Sequence, residues 1–343
     1  MRPPAPLCLS GRVSNLAMYV TGAPAGLRLT QLDTSHTGAL SRLVTDMELA
    51  FFERSETNEP EILGTLQAPE LYGSRGTAGL WDGSELIAAA LAYDELPHGG
   101  GLCLELFVHP DATQRTRIAD RLLEAAETYG GTLPAPADDW VKSEEFRGDG
   151  DVGEAFRERG YEQHRVYLRM RLDFDEPPAV PTAPAGLTVR GMAEQSWPAL
   201  HSAVNEAFQD HYDFHPRPLE LFRRDLVNET TDMSAWRLVF DGTDCVGACL
   251  GSNRFAPHRL GYVETLCVVR GYRGRGIARY LLRDAFARDA AAGFTGTSLH
   301  CDATNPTGAA ALYESVGMRR DHAYNAWRTG LRVGTRFAQP HRR

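Results

Sequence analysis

Lysine is almost missing from this chain of 343 residues: Lys142 stands alone among 36 basic residues. Arginine takes its place, and with abundant Ala, Gly and Pro this points to a GC-rich coding sequence rather than to chemistry. No apolar run approaches the roughly 18 residues that a membrane-spanning helix needs, so no membrane segment is expected. The opening MRPPAPLCLSGRVSNLAMYV lacks the continuous apolar stretch of a secretory signal. It reads as a flexible tail, or as the product of an upstream start codon with Met18 as the true beginning. Cys-x-x-Cys spacing is absent as well. The six cysteines (Cys8, Cys103, Cys245, Cys249, Cys267 and Cys301) are scattered, which leaves reduced thiols packed as small hydrophobes in a cytoplasmic protein. Positive charge is not in excess either. A net charge of −9 argues against a general nucleic-acid binder and leaves local basic patches open.

What is present describes a globular chain, with 43% hydrophobic and 24% charged residues. Its length fits two domains of about 150 residues each. Residues 173–186 (DFDEPPAVPTAPAG) are acidic, then rich in Pro and Ala, and have no apolar period, which is the signature of a linker. The expected organisation is a tail at 1–25, a domain at 26–173, a linker at 174–186, a second domain at 187–330 and a basic tail at 331–343. Each half opens with a strand-like segment (27–31; 187–190) followed by a helical region. Each then has a hairpin around an Asp-Gly turn, 77–81 with 85–93 and 237–240 with 245–251. The internal match is sharpest where QRTRIADRLLEAA (114–126) aligns with RGRGIARYLLRDA (273–285). Ile118/Ile277, Ala119/Ala278, Leu122/Leu281 and Leu123/Leu282 coincide at helical spacing. Further on, AFRERGY (155–161) matches LYESVGM (312–318). Two copies of one fold is the economical reading.

Residues 262–269 (YVETLCVV) read as a buried strand that runs into RGYRGRG (270–276) and then a helix over 277–292, ended by Gly293. A strand, a glycine-rich loop and a helix N-terminus together make an anion site, because unpaired amides and the helix dipole both face the loop. Gly274 and Gly276 allow close backbone approach, while Arg273 and Arg275 supply charge. A dinucleotide fingerprint fails at Arg279, which stands where its third glycine belongs. A P-loop fails because Ile277-Ala278 follow Gly276 in place of Lys-Ser/Thr.

Arg273-x-x-Gly276-x-Ala278 after Val268 resembles the pyrophosphate loop of the GCN5-related N-acetyltransferase (GNAT) superfamily. NPTGAAALYESVGM (305–318) resembles that family's second motif, N…A-x-x-L-Y-x-x-x-G-F/M. The resemblance covers residues 186–330 well and 27–174 weakly. It implies an α+β fold: a mixed, mostly antiparallel sheet with flanking helices, built twice in tandem, with two central strands splayed to admit a pantetheine arm. It also implies acetyl-CoA as co-substrate, no metal, and a small-molecule amine acceptor. In its terms Tyr313 protonates the leaving thiolate, since a free thiol near pKa 8.5 and a phenol near 10 are workable partners. Glu264 stands where several members place a general base. It is equally readable as a pocket-edge carboxylate that binds a cation. Leu266, Cys267 and Val268 are given backbone roles toward thioester and pantetheine, and Arg273, Gly274, Arg275, Gly276, Ile277 and Ala278 form the diphosphate cradle. Asn305 is either a coenzyme contact or the cap of a helix with Pro306 at its first position.

The first copy has Phe156 opposite Tyr313, and Arg115 and Arg117 opposite Gly274 and Gly276, so it is expected to be degenerate. This tandem plan is similar to that of the mycothiol synthases, whose acceptor is an amino-sugar–cysteine conjugate. Residues 206–215 (EAFQDHYDFH) read either as an acceptor-recognition segment or as a loop over the pocket. His211 and His215 share helical spacing but have no third ligand. The expected activity is N-acyl transfer to a small amine or amino-conjugate by direct attack on the thioester, in a monomer or homodimer. The alternative is a non-catalytic acyl-CoA sensor on the same fold.

Overall fold

The computed structural model describes residues 15–68, 71, 74–94, 101–133, 140–209, 214, 216–228, 230–304 and 308–330. The chain forms two compact units, of which the second is contiguous in sequence and the first is not. Residues 1–164 group with 324–343, and residues 165–323 form the second unit. The expected domain edges at 173 and 187 thus differ from the observed ones. The first unit takes its last strand, residues 324–330, from the far end of the sequence.

In the first unit β1 (Arg28–Thr30) leads to α1 (Thr37–Phe52) and α2 (Glu59–Gln67). The antiparallel β2 (Thr77–Asp82), β3 (Glu85–Asp94) and β4 (Leu102–Val108) follow, then α3 (Arg115–Gly130), β5 (Trp140–Phe146) and α4 (Gly150–Glu158). The β2–β3 turn is the expected Asp82-Gly83, with Gly83 at φ 55°, a left-handed conformation that glycine adopts without steric cost. Alternation along the strands feeds two cores. Leu102, Leu104, Leu106 and Val108 pack with α3 and α4, while Leu86, Ala89 and Leu91 pack with α1 and α2.

The chain continues through β6 (Glu162–Asp173) to β7 (Thr188–Gly191), α5 (Trp197–Phe208), α6 (Leu219–Leu226), β8 (Arg237–Asp241) and β9 (Asp244–Ser252). Next come β10 (Leu260–Val268), α7 (Ile277–Ala291), β11 (Gly296–Asp302), α8 (Ala309–Ser315) and β12 (Arg319–Gly330). The order β-α-α-β-β-β-α-β-α therefore occurs twice, as the internal match implied. Within the second unit β7 to β10 run antiparallel in order, β10 pairs parallel with β11, and β11 pairs antiparallel with residues 167–173 of β6. The counterpart of β6 in the first unit is residues 324–330 of β12, which pair with β5. Helix α5 covers one face of the second sheet through Trp197 and Leu200, and α7 the other through Ile277, Leu281 and Leu282. Among the described residues no helix is long and apolar enough to cross a membrane.

Candidate active site of the second unit

Strand β10 pairs with β11 only at Leu260–Tyr262. Beyond that point the two strands diverge, and a cavity of about 520 Å³ opens between Val263–Val268 on one side and Leu299–Asp302 on the other. Its far walls come from the end of α5 (Ala207, Phe208), the start of α7 and one face of α8. The splay implied by the resemblance is therefore present.

Which backbone groups face the opening follows from the ladder. The Val269 amide donates to Val246 O of β9 at 3.0 Å, so by strand alternation the Cys267 amide also faces β9. Leu266 and Val268 then turn their amides toward the cavity. Consistent with this, the Val268 carbonyl accepts from Arg273 Nε at 3.2 Å on that side. Side chains follow the opposite logic: Leu266 and Val268 pack on the α7 core, and Cys267 is buried in the α5 core.

The loop after β10 makes a short 3-10 turn at Arg270–Tyr272, and then Gly274 (φ 76°) and Gly276 (φ 79°) both adopt left-handed conformations. These are the values that side chains with a Cβ rarely take, and they place Gly276 as the cap of α7. The first helical bond runs from the Tyr280 amide to Gly276 O at 2.9 Å. The amides of Ile277, Ala278 and Arg279 are consequently left without partners among the described residues, and they open on the cavity. Ile277 buries its side chain beneath the loop against Gly247. Ala278 lines the cavity wall.

The arginines of this stretch are placed differently from one another, and Arg273 lines the cavity. Arg273 binds the Val268 carbonyl and, through Nη2, the Ala207 carbonyl at 2.9 Å, which fastens the loop to the end of α5. Arg275 lies over the Tyr272 ring at 4.6 Å and is not part of the cavity lining. Arg279, noted in the sequence only for breaking a dinucleotide fingerprint, does line it and donates to Ser315 Oγ at 3.1 Å.

Tyr313 projects from α8 into the cavity wall and is 8% exposed. Its hydroxyl has no hydrogen-bond partner among the described residues. Burial, with Cys301 and Cys249 nearby, holds the phenol well above its ordinary range. It is therefore protonated throughout neutral pH and serves first as a hydrogen-bond donor, since complete proton transfer costs more than for a free tyrosine.

Glu264 sits in a β-bulge. The β9–β10 register shifts between Val263 and Thr265, so Glu264 has no residue opposite it and its side chain turns to the cavity. It makes no hydrogen bond or ion pair among the described residues. The surrounding walls withdraw enough water to raise its carboxyl pKa, with Arg254 pulling the other way.

The opposite strand supplies groups that the sequence reading did not single out: His300, Cys301 and Asp302 line the cavity from β11. His300 Nδ1 is 3.0 Å from Tyr262 Oη, and Arg169 Nη1 is 3.4 Å from Nε2. Burial first, then Arg169, Arg254 and His322, push its pKa down to about 2, so the ring is neutral. Asp302 is occupied by Arg165 at 3.3 Å and by the amide and hydroxyl of Thr304. The signal was a His and an Asp two residues apart on one strand of a buried sheet. Asn305, His211 and His215 lie outside the described residues. No group of three metal-ligating side chains occurs among the described residues. Cys245, Cys249 and Cys267 are buried free thiols, their pKa values raised by burial to about 11, 12 and 12.

The first unit treats the same region differently. Arg115 and Arg117, aligned by sequence with Gly274 and Gly276, are not loop residues: α3 begins at Arg115, capped by Gln114 at φ 59°. Helix has been wound where the second unit makes its glycine loop. Arg115 closes the space beneath by binding the Val108 and His109 carbonyls and both Asp149 oxygens. Phe156, the counterpart of Tyr313, is fully buried and stacks on Trp327 at 5.4 Å. The β4–β5 pairing persists to Glu105 of β4, and Leu106 and Val108 beyond it are buried, whereas Leu266 and Val268 are partly exposed.

Comparison with known proteins agrees with this geometry. Residues 197–318 match the model of the acetyltransferase (GNAT) family. A GCN5-related N-acetyltransferase from Sphaerobacter thermophilus is 25% identical, with a TM-score of 0.77 over 92% of this chain and 98% of its own. A tandem GNAT protein from the clavulanic acid biosynthesis pathway is 14% identical, with a TM-score of 0.61 over 91% of this chain and 100% of its own. Comparison with curated proteins gives no match. The fold supports acyl-CoA-dependent acyl transfer in general. Residues 197–318 are thus similar to the GNAT family of acetyltransferases, and the chain as a whole has the fold of the tandem GCN5-related N-acetyltransferases.

Proposed function

We propose that the second unit transfers an acetyl group from acetyl-CoA to a small amine or amino-conjugate in the cytoplasm, and that the first unit is a scaffold without a coenzyme site. One observation carries the reading: a single cavity joins the unpartnered amides at the start of α7 to the Tyr313 hydroxyl and the Glu264 carboxylate. The diphosphate is held by the amides of Gly276, Ile277, Ala278 and Arg279, where the helix dipole favours negative charge. The thioester lies in the strand opening with its oxygen toward the amides of Leu266 and Val268.

An acceptor enters as an ammonium ion, and Glu264 takes one proton from it. The freed nitrogen attacks the thioester carbon, a C–N bond forms, and charge develops on the oxygen facing those amides. The C–S bond then breaks. The thiolate accepts the Tyr313 hydrogen bond and its proton, and the second proton lost from nitrogen restores the phenol. The balance is ammonium plus thioester giving amide, thiol and one released proton. In the first unit the helical turn at Arg115 and the buried Phe156 remove both the cradle and the donor.

Calorimetric titration of the whole chain with acetyl-CoA tests this. One site per chain is expected, together with amine-dependent release of free thiol. Two equivalent sites contradict the scaffold role, and absence of heat or of any melting shift removes the functional reading.

A further inference from the structure

Strand β10 stops pairing with β11 at Tyr262↔Ser298, and the cavity lining begins with the next residues, Val263 and Leu299. A side-chain contact crosses between the strands at that point. Tyr262 Oη lies 3.0 Å from His300 Nδ1, a diagonal link from the last paired residue of β10 to a lining residue two positions past the end of pairing on β11. His300 is anchored from behind by β6, where Arg169 is its partner in the ladder and places Nη1 3.4 Å from Nε2. The direction of this chain is set by chemistry. A guanidinium only donates, so Nε2 accepts from Arg169, the neutral ring carries its proton on Nδ1, and Nδ1–H donates to Tyr262 Oη.

Both ends of the chain are packed in place. Arg169, 2% exposed, lies over the rings of Phe255 at 4.0 Å and Tyr262 at 5.5 Å. Tyr262, 7% exposed, meets Phe255 edge-on at 5.2 Å. Side chains held this closely in an interior have few alternative positions, so the link has a nearly fixed length. The first unit supplies the contrast. Val263 and Leu266, which face α7, correspond to Leu104 and Leu106, which face α3. With the bulged residue of β10 set aside, Cys103 and Glu144 therefore stand where Tyr262 and His300 do. There the ladder runs on for two more pairs, Leu104↔Ser143 and Glu105↔Glu144.

We infer that Arg169, His300 and Tyr262 form a strut that fixes the separation of β10 and β11, which makes Tyr262 and His300 positioning residues for the slot between those strands. That the slot holds the thioester rests on the acyl-transfer reading above; the strut itself does not. Without the link the strands zip further, as in the first unit, or part more widely. Either movement shifts the amides of Leu266 and Val268 relative to Tyr313. A misplacement of about 1 Å costs on the order of 10²-fold in rate.

The test titrates the whole chain calorimetrically with acetyl-CoA and with 3′-phospho-ADP, the nucleotide half of the coenzyme, which has no pantetheine arm to enter the slot. Tyr262→Phe and His300→Phe should each weaken acetyl-CoA binding by about tenfold and leave 3′-phospho-ADP binding unchanged. The double variant should lose no more than the weaker single one, because both changes cut the same link. His300→Asn, which keeps a donor near the Nδ1 position, should recover most of the loss. In a long-range proton–nitrogen NMR spectrum of the unaltered protein, His300 should appear as the Nδ1–H tautomer, its signal identified by its absence from His300→Asn. An Nε2–H tautomer or a charged ring overturns the inference. So do unchanged acetyl-CoA affinity in Tyr262→Phe, equal losses for both ligands, and losses that multiply in the double variant. If the unaltered protein binds neither ligand, the acyl-transfer reading fails instead, and the tautomer alone decides the strut.

Discussion

Replacing Tyr313 by phenylalanine should slow the enzyme and stabilise the protein at once, and the two effects come from the same atom. The side chain is largely buried, and its hydroxyl, which opens on the cavity, has no partner among the described residues. A fully buried unpartnered hydroxyl in general costs about 1–3 kcal/mol. Because Tyr313 keeps 8% of its surface on the cavity, part of that cost is relieved by water, and about 1 kcal/mol is the gain expected from Tyr313→Phe. For a folded unit of this size that raises the melting temperature by about 2–4 °C. Catalysis responds the other way. Loss of a positioned proton donor to the leaving thiolate lowers kcat by about 10²–10⁴, equivalent to roughly 3–5 kcal/mol of barrier. Thiol release under saturating acetyl-CoA measures the first quantity and a thermal melt without ligand the second, while calorimetry checks that coenzyme binding is retained. A variant with unchanged kcat refutes the role of the hydroxyl. One that melts well below the parent shows that the hydroxyl is satisfied and structural, and the reasoning from its isolation fails.

Glu264 works only as the carboxylate, and its folded pKa lies above the ordinary 4.5, so kcat/KM should rise with pH through an acidic limb displaced upward from 4.5. Glu264→Gln should abolish that limb and lower the rate by about 10²–10⁴ in a pH-rate profile. Asp289, in the last turn of α7, accepts from Thr297 Oγ1 at 2.5 Å, and burial raises its pKa from 3.8 to about 6. The folded state holds this proton more tightly than the unfolded state, so the associated stability is present below about pH 4 and lost as pH rises through 6. Asp289→Asn should therefore raise the melting temperature at pH 8 and change it little at pH 4; equal shifts at both values contradict the titration. A fragment of residues 187–330 lacks the strand that pairs with β11 at 296–302, including the buried Leu168 and Met170. It should show no cooperative melt by circular dichroism, and a melt matching the whole chain would show that β6 is dispensable.

The sequence made legible whatever depended on local backbone chemistry. Gly274 and Gly276 announced a left-handed loop because no other residue takes φ near 76–79° so readily, and the alternation of β10 into the apolar face of α7 set strand, loop and helix in order. What depended on distant parts of the chain was hidden. The grouping of residues 165–173 with the second unit and of 324–330 with the first leaves no trace in composition, because both strands carry ordinary alternation. His300 and Asp302 read as polar residues in a strand until the divergence of β10 from β11 turned that strand into a cavity wall. The alignment of Arg115 with Gly274 located where the two units differ but not the form of the difference. Matching letters assumed a loop of equal length, whereas without the glycines the helix extends back to Arg115, with Gln114 as its cap.

The two units then differ by how one structural problem is solved. Parallel strands that part at their ends leave buried amides and apolar side chains that something must cover. In the first unit the protein covers them itself: Phe156 stacks on Trp327, Arg115 binds the carbonyls of Val108 and His109, and Leu106 and Val108 disappear from solvent. In the second unit the corresponding positions stay partly open, the helix starts late, and the amides of Ile277, Ala278 and Arg279 and the Tyr313 hydroxyl remain unpartnered among the described residues. Such groups cost stability in the absence of ligand and recover it on binding, because a ligand that pairs only with the folded state stabilises it by mass action. On the proposed reading a bound ligand would sustain the open second unit, whereas the first unit is filled by its own side chains.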